Sequence, residues 1–148
     1  MQQAPQVLAL VGVYHADGGL LGEARYLLGH LLRQAHCSLC DITHSPVRRK
    51  PAWDRMVVRL GVPVHLRHRN EVHGAVAAAV ASTGTPVLLA ELADDSVHPL
   101  LATEALDVLG GSVHDFEAAV RAAVRSRGWQ LAGPAGSPAP PPARAGWR

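Results

Sequence analysis

The run Val7-Leu8-Ala9-Leu10-Val11-Gly12-Val13, near the N-terminus of the 148-residue chain, is apolar at every position. A strand with one solvated face alternates apolar and polar residues, whereas a continuous apolar run is typical of a strand that is buried on both faces. The run therefore predicts a central strand of an α/β sheet, around which the other elements are expected to pack.

The residues after this run predict a turn followed by a helix. The turn is Tyr14-His15-Ala16-Asp17-Gly18-Gly19, in which the glycines permit positive φ. Leucines and alanines at helical spacing then predict a helix over about 20–34. We expect Asp17 to cap this helix, and the alternative is that the loop's backbone N–H groups hold an anion.

In that alternative, the turn would form the mouth of a ligand site, because ligands of α/β sheets bind beyond the carboxyl ends of the strands. Tyr14, His15 and Asp17 would then be polar groups of a pocket that faces Thr85 and Pro86.

Downstream, the chain alternates between helix and strand patterns. Pro51 predicts the start of a short helix over about 51–60, and Val62–His68 alternates around a proline, which predicts an edge strand. The other predicted elements are a helix over about 71–82 capped by Asn70, strands at 87–91 and 97–101, a short helix capped by Thr103, and a last helix from Ser112 to about Arg127. Residues 1–6 are expected to be flexible and residues 128–148, rich in Ala, Pro and Gly, to be a disordered tail, which leaves one domain at 7–127.

This element order resembles the βαβαββα order of the thioredoxin-like superfamily once an insert at about 35–60 is left out. The fully apolar first strand, the edge-like second strand and the closing hairpin agree with it. Thr85-Pro86 lies where that superfamily has a cis-proline, just before the third strand. The resemblance implies an α/β fold with a mixed sheet of about four strands, and an inserted cysteine-containing segment and short helix after the first helix.

A second resemblance is to a family of uncharacterised bacterial proteins. It is carried by the segments Tyr14–Gly19 and Cys37–Thr43 together, and it implies no activity. In thioredoxin-like oxidoreductases the reactive cysteine lies in the loop directly after the first strand, but here that loop is Tyr14–Gly19, which contains no cysteine. The redox role of that superfamily's cysteines therefore cannot be assigned to matching positions of this chain.

Both cysteines lie in the segment His36-Cys37-Ser38-Leu39-Cys40-Asp41-Ile42-Thr43-His44. Two cysteines at this spacing can form a disulfide ring or supply two thiolates to one metal ion. The leading interpretation is thiol–disulfide chemistry, in which one cysteine attacks, the other resolves, and His44 or His36 stabilises the thiolate. The partner would be a protein thiol or a small-molecule thiol.

Two alternatives stay open at this point. Cys37, Cys40 and His44 could be three ligands of a zinc or iron site in a non-enzymatic metal-binding module, with the fourth ligand from elsewhere in the fold. The protein could also be a binding or structural protein in which the cysteines are incidental.

Composition and charge narrow the function classes. The formal net charge is +2, which is too small to indicate a nucleic-acid-binding protein. Val7–Val13 has no basic segment before it and is too short for a signal sequence or a membrane span, so we expect a cytoplasmic protein without a membrane partner. In that compartment thiols are kept reduced, which favours a reactive or metal-binding cysteine pair over a structural disulfide.

Overall fold

The structure is a computed structural model, and it describes residues 3–15, 37–44 and 49–133. The elements within these ranges are β1 (Gln6–Tyr14), α1 (Ser38–Thr43), α2 (Pro51–Leu60), β2 (Val64–His68), α3 (Gly74–Thr83), β3 (Val87–Leu92), β4 (Val97–Leu101), α4 (Thr103–Asp107), α5 (Val113–Ser126) and β5 (Gln130–Leu131). The predicted helix over about 20–34, Asp17 and His36 lie outside the described residues.

The strands form one mixed sheet in the order β2-β1-β3-β4. Strand β1 is parallel to β2 and antiparallel to β3, and β3 is antiparallel to β4. Strand β5 pairs in parallel with the first residues of β1. The prediction of an α/β fold with a mixed sheet is thus confirmed, and β2 is an edge strand as its proline and alternation indicated.

Apolar side chains cover both faces of β1, as the continuous run predicted. On one face Leu10 belongs to a large core that is shared with α1, α2 and α5, and within it the rings of Trp53 and Phe116 lie 5.0 Å apart. On the other face Val11 and Val13 pack with α3. Strand β1 is therefore the central element that positions helices on both sides.

Gly12 of β1 determines how closely α1 approaches the sheet. A Cβ atom at this position would lie 3.0 Å from Leu39 Cδ2 and 3.1 Å from Leu66 Cδ2. Leu39 is fully buried and lies between the two cysteines in sequence. The missing side chain at Gly12 therefore allows the cysteine segment to pack directly on the central strand.

The two predicted caps at Asn70 and Thr103 are wrong. Helix α3 begins later, with His73 at its N-cap, because Glu71 closes a turn: its backbone N–H donates to the His68 carbonyl, and its carboxylate accepts from the His68 backbone N–H at 2.8 Å. Helix α4 has Ala102 at its N-cap, and the Thr103 hydroxyl donates instead to the carbonyl of Pro86, 2.8 Å away.

The start of α5 agrees with the prediction, and the chain after α5 forms one more strand. The Ser112 hydroxyl accepts from the Asp115 backbone N–H and caps α5, as predicted. The fold continues past residue 127, because Gln130–Leu131 form β5. No helix in the described part of the chain has the length and apolar character that a membrane crossing requires.

Candidate functional site

The cysteine segment folds as a short helix, and a disulfide joins Cys37 to Cys40. Cys37 is the N-cap of α1 and Cys40 follows one turn later, so the helix places their Cα atoms 5.2 Å apart. This separation lies within the usual range for bridged cysteines. In the structure the two cysteines therefore form a disulfide.

Two backbone N–H groups donate to the sulfur of Cys37. One belongs to Cys40, whose N lies 3.3 Å from Cys37 Sγ, and the other to His15, whose N lies 3.4 Å from it. The second contact joins α1 to the end of β1. Hydrogen bonds of this kind stabilise a thiolate more than a thiol, because they favour the charged form of the group that accepts them.

His15 also connects the disulfide to the start of β3. Its ring Nδ1 lies 2.9 Å from the hydroxyl oxygen of Thr85, and the peptide bond between Thr85 and Pro86 is cis. Four of the predicted site residues, Cys37, His15, Thr85 and Pro86, are therefore brought together where β1 ends and β3 begins.

A buried polar network lies at the other end of α1. The hydroxyl oxygens of Tyr14 and Thr43 are 3.0 Å apart, and His44 Nδ1 lies 2.6 Å from Thr43 Oγ1 and 3.4 Å from Tyr14 Oη. Thr43 also donates to the carbonyl of Cys40. The contacts of His44 thus run to Tyr14 and Thr43, and the donors to Cys37 are backbone N–H groups rather than a histidine ring.

The environment of His44 favours its neutral form. Burial lowers its pKa, and electrostatic interactions with Arg49 and His68 lower it further, while Asp54 opposes them. In the neutral ring one nitrogen donates and the other accepts a hydrogen bond, which suits the contacts of Nδ1 with the hydroxyls of Thr43 and Tyr14. The lowered pKa makes His44 a weaker base than a free histidine, so the structure supports a hydrogen-bonding role for its ring.

His68 belongs to the same cluster, although it was not among the predicted site residues. Its ring centroid lies 5.4 Å from that of Tyr14, and its Nδ1 lies 2.7 Å from a Glu71 carboxylate oxygen. The signal was available, because alternation along β2 puts His68 on the same face as Val64 and Leu66. Thr43 was also missed as a site residue, because a buried threonine has no distinctive sequence pattern.

The hydroxyl of Ser38, next to Cys37, is a further feature of the site. It is buried, and none of the described residues forms a hydrogen bond with it. A buried hydroxyl without a hydrogen bond is energetically unfavourable, because it has lost its bonds to water and gained none in the protein.

The described residues do not assemble a metal site in the oxidised protein. In the parts of the chain that the structure describes, no group of three or more His, Cys, Asp or Glu side chains is arranged to hold a metal ion. The proposed zinc or iron ligands Cys37 and Cys40 are bonded to each other, whereas thiolates are the form that binds metals.

The chain was also compared with known proteins. No family model, no curated protein and no solved structure matches it.

Proposed function

We propose that the protein has a thioredoxin-like fold and exchanges disulfides with thiol partners through Cys37 and Cys40. The observation that carries the proposal is the oxidised pair whose Cys37 sulfur accepts two backbone N–H groups, one of them from the end of β1. A disulfide sulfur that leaves as a thiolate is expelled faster when that thiolate is stabilised.

The fold part of the proposal is supported by the arrangement around the central strand. An apolar first strand, an edge second strand parallel to it and a closing antiparallel hairpin follow one another in the order that the resemblance implies. The cis peptide bond at Thr85-Pro86 immediately precedes β3. In space the cysteine pair lies at the end of the first strand, although in sequence it comes later.

The proposed reaction is an exchange between this disulfide and a partner dithiol. A partner thiolate attacks one protein sulfur, the Cys37–Cys40 bond breaks, and the other protein sulfur leaves as a thiolate. The partner's second thiol, deprotonated, then attacks the partner's first sulfur, the mixed disulfide bond breaks, and the second protein sulfur leaves as a thiolate. The partner is oxidised to a disulfide, and the protein gains two electrons and, on protonation, two protons. In the reverse direction the protein reduces a disulfide.

A redox titration tests this function. The protein is equilibrated with glutathione or dithiothreitol buffers of known potential, thiols are alkylated, and the oxidised fraction is measured by mass spectrometry. We expect reversible two-electron behaviour with a midpoint above about −300 mV, because structural disulfides of secreted proteins typically have lower potentials. A pair that stays oxidised in all buffers down to that potential would contradict the proposal, and the Cys37→Ser, Cys40→Ser double variant serves as the alkylation control.

Metal binding remains a prediction for the reduced protein only. Reduction would free two thiolates at the spacing that zinc sites use. If the reduced protein bound one equivalent of Zn²⁺ and showed no reversible disulfide, the metal-binding module would replace the redox protein. The predicted cytoplasmic location fits a pair that cycles between dithiol and disulfide, since that compartment keeps thiols reduced.

A further inference from the structure

The two sulfurs of the disulfide differ in access and in hydrogen bonding. We infer that the partner thiolate attacks the sulfur of Cys40 and that the sulfur of Cys37 leaves. This inference rests on the proposed function. Cys40 would then carry the mixed disulfide, and Cys37 would be the resolving cysteine.

Access favours attack at Cys40. Cys37 is 0% exposed, whereas Cys40 is 7% exposed. Cys37 is also enclosed between the backbone of His15 and the first turn of α1, since both contribute N–H groups to its sulfur. An attacking thiolate must approach from outside the protein, and of the two residues only Cys40 has exposed surface.

Hydrogen bonding favours departure of Cys37. The backbone N–H groups of His15 and Cys40 already point at its sulfur in the oxidised protein. When the bond to Cys40 breaks, the negative charge that develops on Cys37 meets two donors in place. No hydrogen bond of the described residues ends on the Cys40 sulfur. A lower thiol pKa makes a better leaving group.

In each step of the exchange one S–S bond forms and one breaks. The partner thiolate forms a bond to Cys40 Sγ while the Cys40–Cys37 bond breaks, and the electron pair of that bond goes to Cys37. In the reverse direction the Cys37 thiolate attacks Cys40 Sγ in the mixed disulfide and expels the partner thiolate. The proton that a partner thiol loses on forming the thiolate goes to solvent.

A pulse experiment identifies the attacked sulfur in the native wild-type protein. The oxidised protein receives a short pulse of reduced glutathione, exchange is stopped with acid, and fragmentation mass spectrometry locates glutathione on Cys37 or on Cys40. We expect glutathione on Cys40 in about tenfold excess. Glutathione mainly on Cys37, or equally on both, would overturn the assignment while leaving thiol–disulfide exchange in place.

Two single-cysteine variants provide an independent measurement. Cys37→Ser leaves Cys40 as the only thiol and keeps a residue that is favoured at N-caps, and Cys40→Ser leaves Cys37 alone. Folded Cys37→Ser should form a mixed disulfide with oxidised glutathione about tenfold faster than folded Cys40→Ser at a pH where both thiols are ionised, because accessibility then decides the rate. In denaturant both variants should react alike.

The outcomes separate the inference from the proposed function. Faster reaction of folded Cys40→Ser would reverse the assignment. If the wild-type pulse gives no adduct and a dithiol does not reduce the folded protein either, the proposed function itself fails, and the assignment fails with it.

Discussion

The backbone N–H of His15 donates to the sulfur of Cys37, with an N–Sγ distance of 3.4 Å. This contact joins the end of the central strand to a cysteine that lies 22 positions later in the chain. The same histidine contacts Thr85 through its ring. One residue thus touches both the disulfide and the threonine of the cis-proline pair, which makes the three segments a single site.

Reduction of the disulfide should leave the protein folded. The bridged cysteines are three positions apart, and closing so small a ring removes little entropy from the unfolded chain, about 2 kcal/mol. We expect the free energy of unfolding in urea to fall by about this amount on reduction. The measurement is made with and without dithiothreitol, and the double serine variant in dithiothreitol shows whether the reductant has other effects. If the protein unfolded on reduction without urea, the disulfide would be structural.

The Thr43 hydroxyl should contribute to stability through its bond to Tyr14. Thr43→Val removes a fully buried hydroxyl that contacts Tyr14, His44 and the Cys40 carbonyl, and should cost about 1–3 kcal/mol. A double-mutant cycle with Tyr14→Phe should give a coupling energy of about 1 kcal/mol, because the two hydroxyls are in direct contact. Coupling within experimental error of zero would show that this hydrogen bond does not form in solution.

The stability should depend on pH through His44. Its pKa is lowered in the folded protein, so below the ordinary value of about 6.5 the unfolded chain binds a proton that the folded protein does not. Stability from this group is therefore fully present above that value and is lost as the pH falls towards the folded pKa.

Urea unfolding between pH 5 and pH 8, about the range in which histidines titrate, measures this effect. His44→Gln should show a smaller loss of stability on acidification than the wild type. An unchanged profile in the variant would show that other groups cause the dependence, and an NMR titration of the His44 ring reports its folded pKa directly.

Ser38→Ala should stabilise the oxidised protein. The hydroxyl of Ser38 is buried and has no partner among the residues that the structure describes, so its removal should avoid a desolvation penalty of about 1 kcal/mol. Ser112→Ala is the matched control, because the hydroxyl of Ser112 caps α5 and its loss should cost about 1 kcal/mol. A destabilised Ser38→Ala variant would mean that the hydroxyl has a partner in solution, such as an ordered water.

Several elements could be predicted because their causes are local. The apolar run Val7–Val13 identified the central strand, and the proline and alternation of Val62–His68 identified the edge strand. Ser112, three residues before Asp115, identified the cap of α5. In each case a residue type or a period is itself the physical reason for the element.

Other features depend on contacts between distant parts of the chain. Strand β5 has only two residues and exists because it pairs with Gln6 and Val7. Helix α1 has six residues, too few for a helical period to appear in sequence. Cys37 contacts His15, and Leu39 packs over Gly12, and no local pattern indicates either contact. The sequence therefore identified the cysteine pair as a candidate site but did not predict its position in space.

The rate at which a dithiol reduces the native disulfide tests the central claim most directly. Reduction of oxidised protein by dithiothreitol is followed by mass spectrometry at several urea concentrations below the unfolding transition, alongside the rate of global unfolding. Exchange from the folded state predicts reduction much faster than unfolding, first order in dithiothreitol and almost independent of urea. A reduction rate that equals the unfolding rate and rises with urea in the same way would show that the disulfide is reached only after unfolding, and would contradict the proposed function.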